Sequence, residues 1–176
     1  MLYISLGSQP SVANALNSLK LNKSETLFDN LGNVSYEMLL NNLNNQFNNF
    51  FPKLDEIKVI TGSVNIKNGI AYSLIEDKRN GTIFYDVLPL GKKINKLFGV
   101  ARNRYEKLIS SFNHTIQSST SVVFIRQMYD DNENDTLELS NTLKWVYPAC
   151  RFHLKHRYAG NEHTKCYNFW KSELSN

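Results

Sequence analysis

The spacing of apolar residues changes several times along the chain, and each change predicts an element. Leu2-Tyr3-Ile4-Ser5-Leu6 is rich in β formers and weakly alternating, which predicts a strand over 2–6. Val12, Ala13, Leu16, Leu19 and Leu21 then suit a helix of two to three turns. Pro10 fits its first turn, where a missing N–H costs nothing. Lys23 to Asn33 is polar and reads as a loop anchored by Leu27-Phe28. From Ser35, a helical face of Met38, Leu39, Leu43, Phe47, Phe50 and Phe51 runs to Pro52, which ends it.

Beyond Pro52 the period shortens. Ile57 to Ile60, Ala71 to Ile75 and Thr82 to Leu88 read as strands, with turns at Asn65–Gly69 and Asp77–Gly81. Short turns between adjacent strands predict an antiparallel insertion at a sheet edge. Ile94, Leu97, Phe98, Ala101, Tyr105, Leu108, Ile109 and Phe112 then follow one helical face from about Lys92 to Ser118. Val122 to Arg126 is continuously apolar up to its last residue, the pattern of a parallel strand buried on both faces. Asp135 is placed to cap a helix over 136–147, carrying Leu137, Leu139, Leu143, Trp145 and Val146, and Pro148 stops it. A strand over Cys150–Tyr158 and a closing helix over His163–Leu174 complete the chain. Strand 122–126, helix 136–147 and strand 150–157 make a right-handed βαβ unit. The expectation is one α/β domain over 1–176, three-layered, with a partly parallel central sheet and the antiparallel insertion at its edge. Trp145 and Trp170 are expected in the core.

Composition narrows the class. The chain has 176 residues and a formal net charge of +4, which admits an anionic partner without demanding one. No apolar run approaches the ~20 residues of a membrane span, so no membrane partner is expected. With the first strand beginning at once after Met1 and only two cysteines, Cys150 and Cys166, the expectation is a reduced, cytoplasmic protein. The Asn41–Phe50 stretch is Asn-rich and fits an A/T-rich genome, bacterial, parasitic or viral; a viral source would place the protein in host cytoplasm or virion.

The turn Ser5-Leu6-Gly7-Ser8-Gln9-Pro10-Ser11-Val12-Ala13, between first strand and first helix, is where an α/β fold exposes backbone N–H groups to a nucleophile or an anion. This stretch resembles the opening Ser-Leu-Gly-x-x-Cys-x-x-Ala of bacterial and viral proteins labelled papain-like cysteine peptidases, often encoded near glycan-synthesis genes. Leu27-Phe28-Asp29-Asn30 is similar to that family's Pro-Phe-Asp-Trp, and Phe84-Tyr85-Asp86 to its Phe-x-His-Asp-like motif. Arg102 to Phe112 and Phe124-Ile125-Arg126 resemble its Arg-rich helix and Phe-Ile/Val-Arg strand. The family label implies a papain-like α+β fold as the alternative to α/β.

The departures fall where chemistry would be. The resemblance puts the family's Cys at Pro10 and its His at Tyr85. A cysteine hydrolase needs a thiolate beside a histidine. The expectation is therefore a catalytically inactive relative that acts as a binding or accessory protein, in glycan-related processing. An active hydrolase or transferase on a glycan or acyl group, using Ser8 or Ser11 with Tyr85 and Asp86, is the alternative. Ser8, Gln9, Asp29, Asp86 and Arg126 are the candidate binding residues. Arg126 and Asp86 stand at strand ends, where α/β sites gather, and either hold loops as an ion pair or bind a ligand carboxylate or phosphate.

Two further constellations each have a plain structural reading. Cys150, His153, His163 and Cys166, with His156, have zinc-like spacing. Strand periodicity sends residues three apart to opposite faces, so neither a metal nor any other cofactor is expected. Lys92, Lys93, Lys96, Arg102, Arg104 and Lys107 form a basic face opposed by Glu106 alone. It suits nucleic acid, a third functional class that is not favoured, or is a solvated face opposite the apolar stripe.

Overall fold

The structure, a computed structural model, describes residues 1–21, 25–160 and 162–175. Seven strands and five α-helices follow in the order β1 (Leu2–Ser5), α1 (Ser11–Ser18), β2 (Leu31–Gly32), α2 (Tyr36–Asn44), β3 (Ile57–Lys67), β4 (Ile70–Asp77), β5 (Ile83–Pro89), α3 (Ile94–Gln117), β6 (Val122–Gln127), α4 (Asp135–Val146), β7 (Phe152–Arg157) and α5 (His163–Ser175). Helix makes up 40% and strand 26%, consistent with the α/β class.

β1, β6 and β7 form a parallel sheet in the order β1-β6-β7. Every residue of β6 is buried, because both of its faces are covered. Val123 and Ile125 pack with Val12, Ala15 and Leu16 of α1 and Trp170 of α5. Val122 and Phe124 face the larger core, with Leu139 and Leu143 of α4 and Phe112 and Ile116 of α3. The unbroken apolar run of this strand is thus the imprint of a sheet sandwiched between helices.

The antiparallel strands do not extend that sheet, as the sequence suggested. They form a second, four-stranded sheet in the order β2-β5-β4-β3. Its edge strand β2 is recruited from the polar loop, where Leu31 and Gly32 pair with Phe84 and Ile83 of β5. The expected loop begins at Lys23, which together with Ser24 lies outside the described residues. β3 runs seven residues past the expected Ile60, with an irregularity between Ile60 and Val64 around Gly62. The β3–β4 turn is then only Asn68-Gly69, both at positive φ (51° and 75°), the two-residue form that Asn-Gly favours.

Three further expectations are corrected. The second helix ends at Asn44 rather than Phe51, because Gln46, Phe47 and Asn49 take left-handed backbone. Phe47 and Phe50 are still buried, packed edge-on among Phe28 and Phe112. Apolar spacing there reports burial, and Asn, at ease in left-handed conformations, lets a turn deliver it. Asp135 does not cap α4: it lies inside the first turn and accepts from the Asn132 N–H, while Asn134 takes the cap position. Trp145 is 70% exposed, whereas Trp170 is fully buried. On α3 the apolar stripe holds, with Ala101, Tyr105, Phe112 and Ile116 its buried members.

Candidate functional site

The β1–α1 turn is built for close approach. Gly7 has φ 84°, and a Cβ there would stand 3.1 Å from the Val34 side chain. Ser8 follows with φ 77°, a second left-handed residue without glycine's freedom. Its hydroxyl is fully buried and has no hydrogen-bond partner among the described residues. Pro10 caps α1, and its carbonyl accepts from the Asn14 N–H at 2.9 Å.

Pro10 opens onto a cleft of about 650 Å³, and Tyr85 lines the same cleft. The two positions separated by 75 residues, where the resembling family would hold Cys and His, therefore share one cavity. Tyr85 lies against Gly32, where any Cβ would collide with its ring. Burial pushes the Tyr85 phenol above its ordinary value, so it is a still poorer base near neutrality. Asp29 also lines the cleft. Its carboxylate accepts from the Thr26 N–H at 2.8 Å and the Thr26 hydroxyl at 2.6 Å. Burial outweighs these bonds and raises its pKa to about 6. Gln9, half-buried, lines the cleft as well.

The sequence had no reason to place His163 here. It stands at the start of α5, yet it lines the cleft, with Nε2 3.3 Å from the Asn14 side-chain nitrogen. α1 and α5 pack side by side in the second core cluster, which closes the long loop between them.

The other candidates lie elsewhere. Ser11 donates to Gln127 Oε1 at 2.8 Å, and the Trp170 indole N–H donates to the same oxygen at 3.1 Å. Gln127 in turn donates to Cys166 Sγ at 3.0 Å, and Cys166 donates to the Gly160 carbonyl at 2.9 Å. Ser11 and Cys166 are thus committed to one buried network joining α1, β6 and α5. Of the two candidate serines at this turn, Ser11 is engaged in that network, and Ser8 has no solvent exposure and does not line the cleft.

Asp86 points to the opposite pleat of β5 from Tyr85 and is 5% exposed. It accepts from Lys67 at 2.5 Å and Arg104 at 2.7 Å, and Glu25 binds the same two cations at 2.8 Å each. Burial acts to raise its pKa, but Arg104 and Lys67 more than offset this and hold the carboxyl below the usual range. It anchors α3 to the second sheet and is not placed to act on a ligand in the cleft.

Arg126 is fully buried and does not pair with Asp86. Its guanidinium donates to Asp131 at 2.9 and 3.3 Å and to the carbonyls of Val34 (2.9 Å) and Leu6 (3.4 Å). His156 lies beside it on β7, with Nε2 2.7 Å from Asp131 and Nδ1 2.8 Å from the Thr136 hydroxyl. Burial acts to raise the Asp131 pKa, but His156 and Arg126 hold it far below the usual carboxylate range. With four of its five N–H groups donating to Asp131, Leu6 and Val34 and no solvent exposure, Arg126 ties β6 to the segments that follow β1 and β2. This chain escaped the sequence reading because Asp131 sat among the acidic residues of a loop with nothing to mark it.

The zinc-like residues are dispersed. Cys166 is in the Ser11 network, His163 in the cleft, His156 on Asp131, and His153 is exposed on β7. Cys150 is half-buried, and burial raises its thiol pKa. Among the described residues no three of His, Cys, Asp and Glu are grouped to hold a metal ion.

Comparison with curated proteins and with solved structures gives no match. A family model does match, over residues 1–151, that is from β1 to the approach to β7, leaving His163 and α5 beyond it. With most of its length covered, the chain belongs to the putative papain-like cysteine peptidase family (DUF1796).

Proposed function

We propose that this protein is a non-catalytic member of its family, a binding or accessory protein that holds an uncharged glycan in the Pro10–Tyr85 cleft. The observation that carries the reading is the convergence of Pro10 and Tyr85 on one cavity. Proline supplies neither a thiol nor a backbone N–H, so nucleophile and one oxyanion donor are lost together. A half-buried tyrosine whose phenol pKa is raised by burial is a poor substitute for the missing base.

The lining supports the ligand class. Gln9, Asn14, Asn17, Asn30, Asn65 and Asn68 bring six carboxamides to the cleft. Each offers donors and acceptors together, matching sugar hydroxyls, which need both. The Tyr85 ring adds an apolar face. A phosphate or carboxylate ligand is less well served: Lys67 is already paired with Asp86 and Glu25, and Arg126 is buried on Asp131.

Two measurements test this. Neutral oligosaccharides titrated into labelled protein should shift the carboxamide signals of Asn14 and Asn65, and Asn14→Leu should weaken binding. The wild type should hydrolyse no peptide, ester or thioester above background. In the Pro10→Cys/Tyr85→His variant, iodoacetamide should label the new cysteine faster than Cys150 or Cys166. Wild-type turnover lost in Ser8→Ala or Ser11→Ala would refute the non-catalytic reading. Absence of any saccharide-induced shift would refute the ligand.

A further inference from the structure

The basic face of α3 is only partly solvated charge. Arg102 pairs with Glu106 at 3.0 Å, and Arg104 is tied to Asp86 and Glu25. Lys92, Lys93, Lys96 and Lys107 are exposed, and none enters an ion pair among the described residues. At 100° per residue, Lys93, Lys96, Val100 and Lys107 fall within about 60° of one another, on the side away from Ala101, Tyr105 and Phe112.

This stripe is not purely charged. Val100 lies within it and is 68% exposed. Leu90, in the turn that leads into α3, is 57% exposed. Its N–H donates to the Ala71 carbonyl at 2.8 Å, and Ala71 pairs with Ile66, itself 70% exposed. Ile66, Ala71 and Leu90 therefore form one row across β3, β4 and the end of β5; Ile66 at its far end lines the Pro10–Tyr85 cleft, and Leu90 at its near end stands two residues before Lys92. Exposed apolar side chains beside lysines without acidic partners give this surface both the apolar and the cationic component that an interfacial contact uses.

We propose that this face docks on an anionic lipid surface, Leu90 and Val100 entering the headgroup boundary while Lys92, Lys93, Lys96 and Lys107 meet the lipid phosphates and carboxylates. Charge complementarity and the apolar side chains favour a bilayer over nucleic acid. Strand and duplex binding draws on arginine forks and stacking aromatics. Here both helix arginines are spent on carboxylates, and Tyr105 is buried. No helix of the described residues is long and apolar enough to cross a membrane, so contact is with the surface alone. Four lysines and two apolar side chains make a reversible attachment, strengthened by each lysine and weakened by salt. None of Leu90, Lys92, Lys93, Lys96, Val100 and Lys107 lines the Pro10–Tyr85 cleft, so the inference does not rest on what that cleft binds.

The test is cosedimentation of the full chain with phosphatidylcholine vesicles, alone or mixed in equal parts with phosphatidylserine. The expected result is binding to the mixed vesicles only, falling steeply with salt. Lys93→Glu with Lys96→Glu should weaken it by about tenfold or more. Leu90→Ser with Val100→Ser should weaken it as well, with circular dichroism unchanged in both variants. Three results would each overturn the proposal: no binding to the mixed vesicles, binding unaffected by either pair of substitutions, or tighter binding to DNA or RNA oligonucleotides than to vesicles.

Discussion

Replacing Arg126 by Met separates a buried structural ion pair from a surface one. The guanidinium has no solvent exposure, grips Asp131 with two bonds and caps the carbonyls of Leu6 and Val34. Methionine fills most of the volume, so the cavity cost is small, and the loss is electrostatic. Asp131 would stay buried with His156 and the Tyr129 N–H as partners. Removing one member of such a pair costs about 3–5 kcal/mol. Arg102→Met, which breaks an exposed pair one helical turn apart, should cost under ~0.5 kcal/mol. Urea unfolding followed by far-UV circular dichroism measures both. Adding Asp131→Asn to Arg126→Met should recover about 1–3 kcal/mol relative to the sum of the two single losses, because the stranded charge is gone. The pH dependence follows with a definite sign. Asp131 titrates lower in the folded chain than in the unfolded one, so its stabilisation is present above the unfolded value near pH 4. It is lost as pH falls below that. If Arg126→Met cost no more than Arg102→Met, or if the wild type and Asp131→Asn unfolded along the same acid curve, the clamp reading would be wrong.

Asp29 should behave in the opposite sense. Its folded pKa is raised from 3.8 to about 6, so the folded state holds the proton more tightly and stability falls as pH rises from about 4 to 6. The drop is on the order of 3 kcal/mol and should vanish in Asp29→Asn, as denaturant midpoints across that range would show. Ser8→Gly should stabilise the protein by about 1 kcal/mol, relieving a left-handed serine and removing a buried hydroxyl without a partner. A loss of stability instead would mean that the hydroxyl is engaged.

Where neighbours along the chain decide the outcome, the sequence was sufficient. The 3.6-residue period of α3 and the unbroken apolar run of β6 are local signals, and each element formed where its pattern lay; the turn expected over Asn65–Gly69 formed as well, though only at its Asn68-Gly69 end. Pro10 and Tyr85 are singled out through a resemblance of motifs, which is a matter of order along the chain; that they line one cleft is a matter of the fold. Partnership across the chain could not be read. Apolar spacing over 38–51 predicted burial of Phe47 and Phe50 correctly, but carried the helix on to Phe51 when it ends at Asn44, because a turn buries the same rings. Trp145 has a core residue's character but lies on the face of α4 that nothing covers. Arg126 meets Asp131 rather than Asp86, and His163 reaches the cleft across 149 residues from Asn14, because closing the parallel sheet and packing α5 on α1 bring them together. Those pairings depend on which faces are covered, a property of the folded whole that no window of sequence contains.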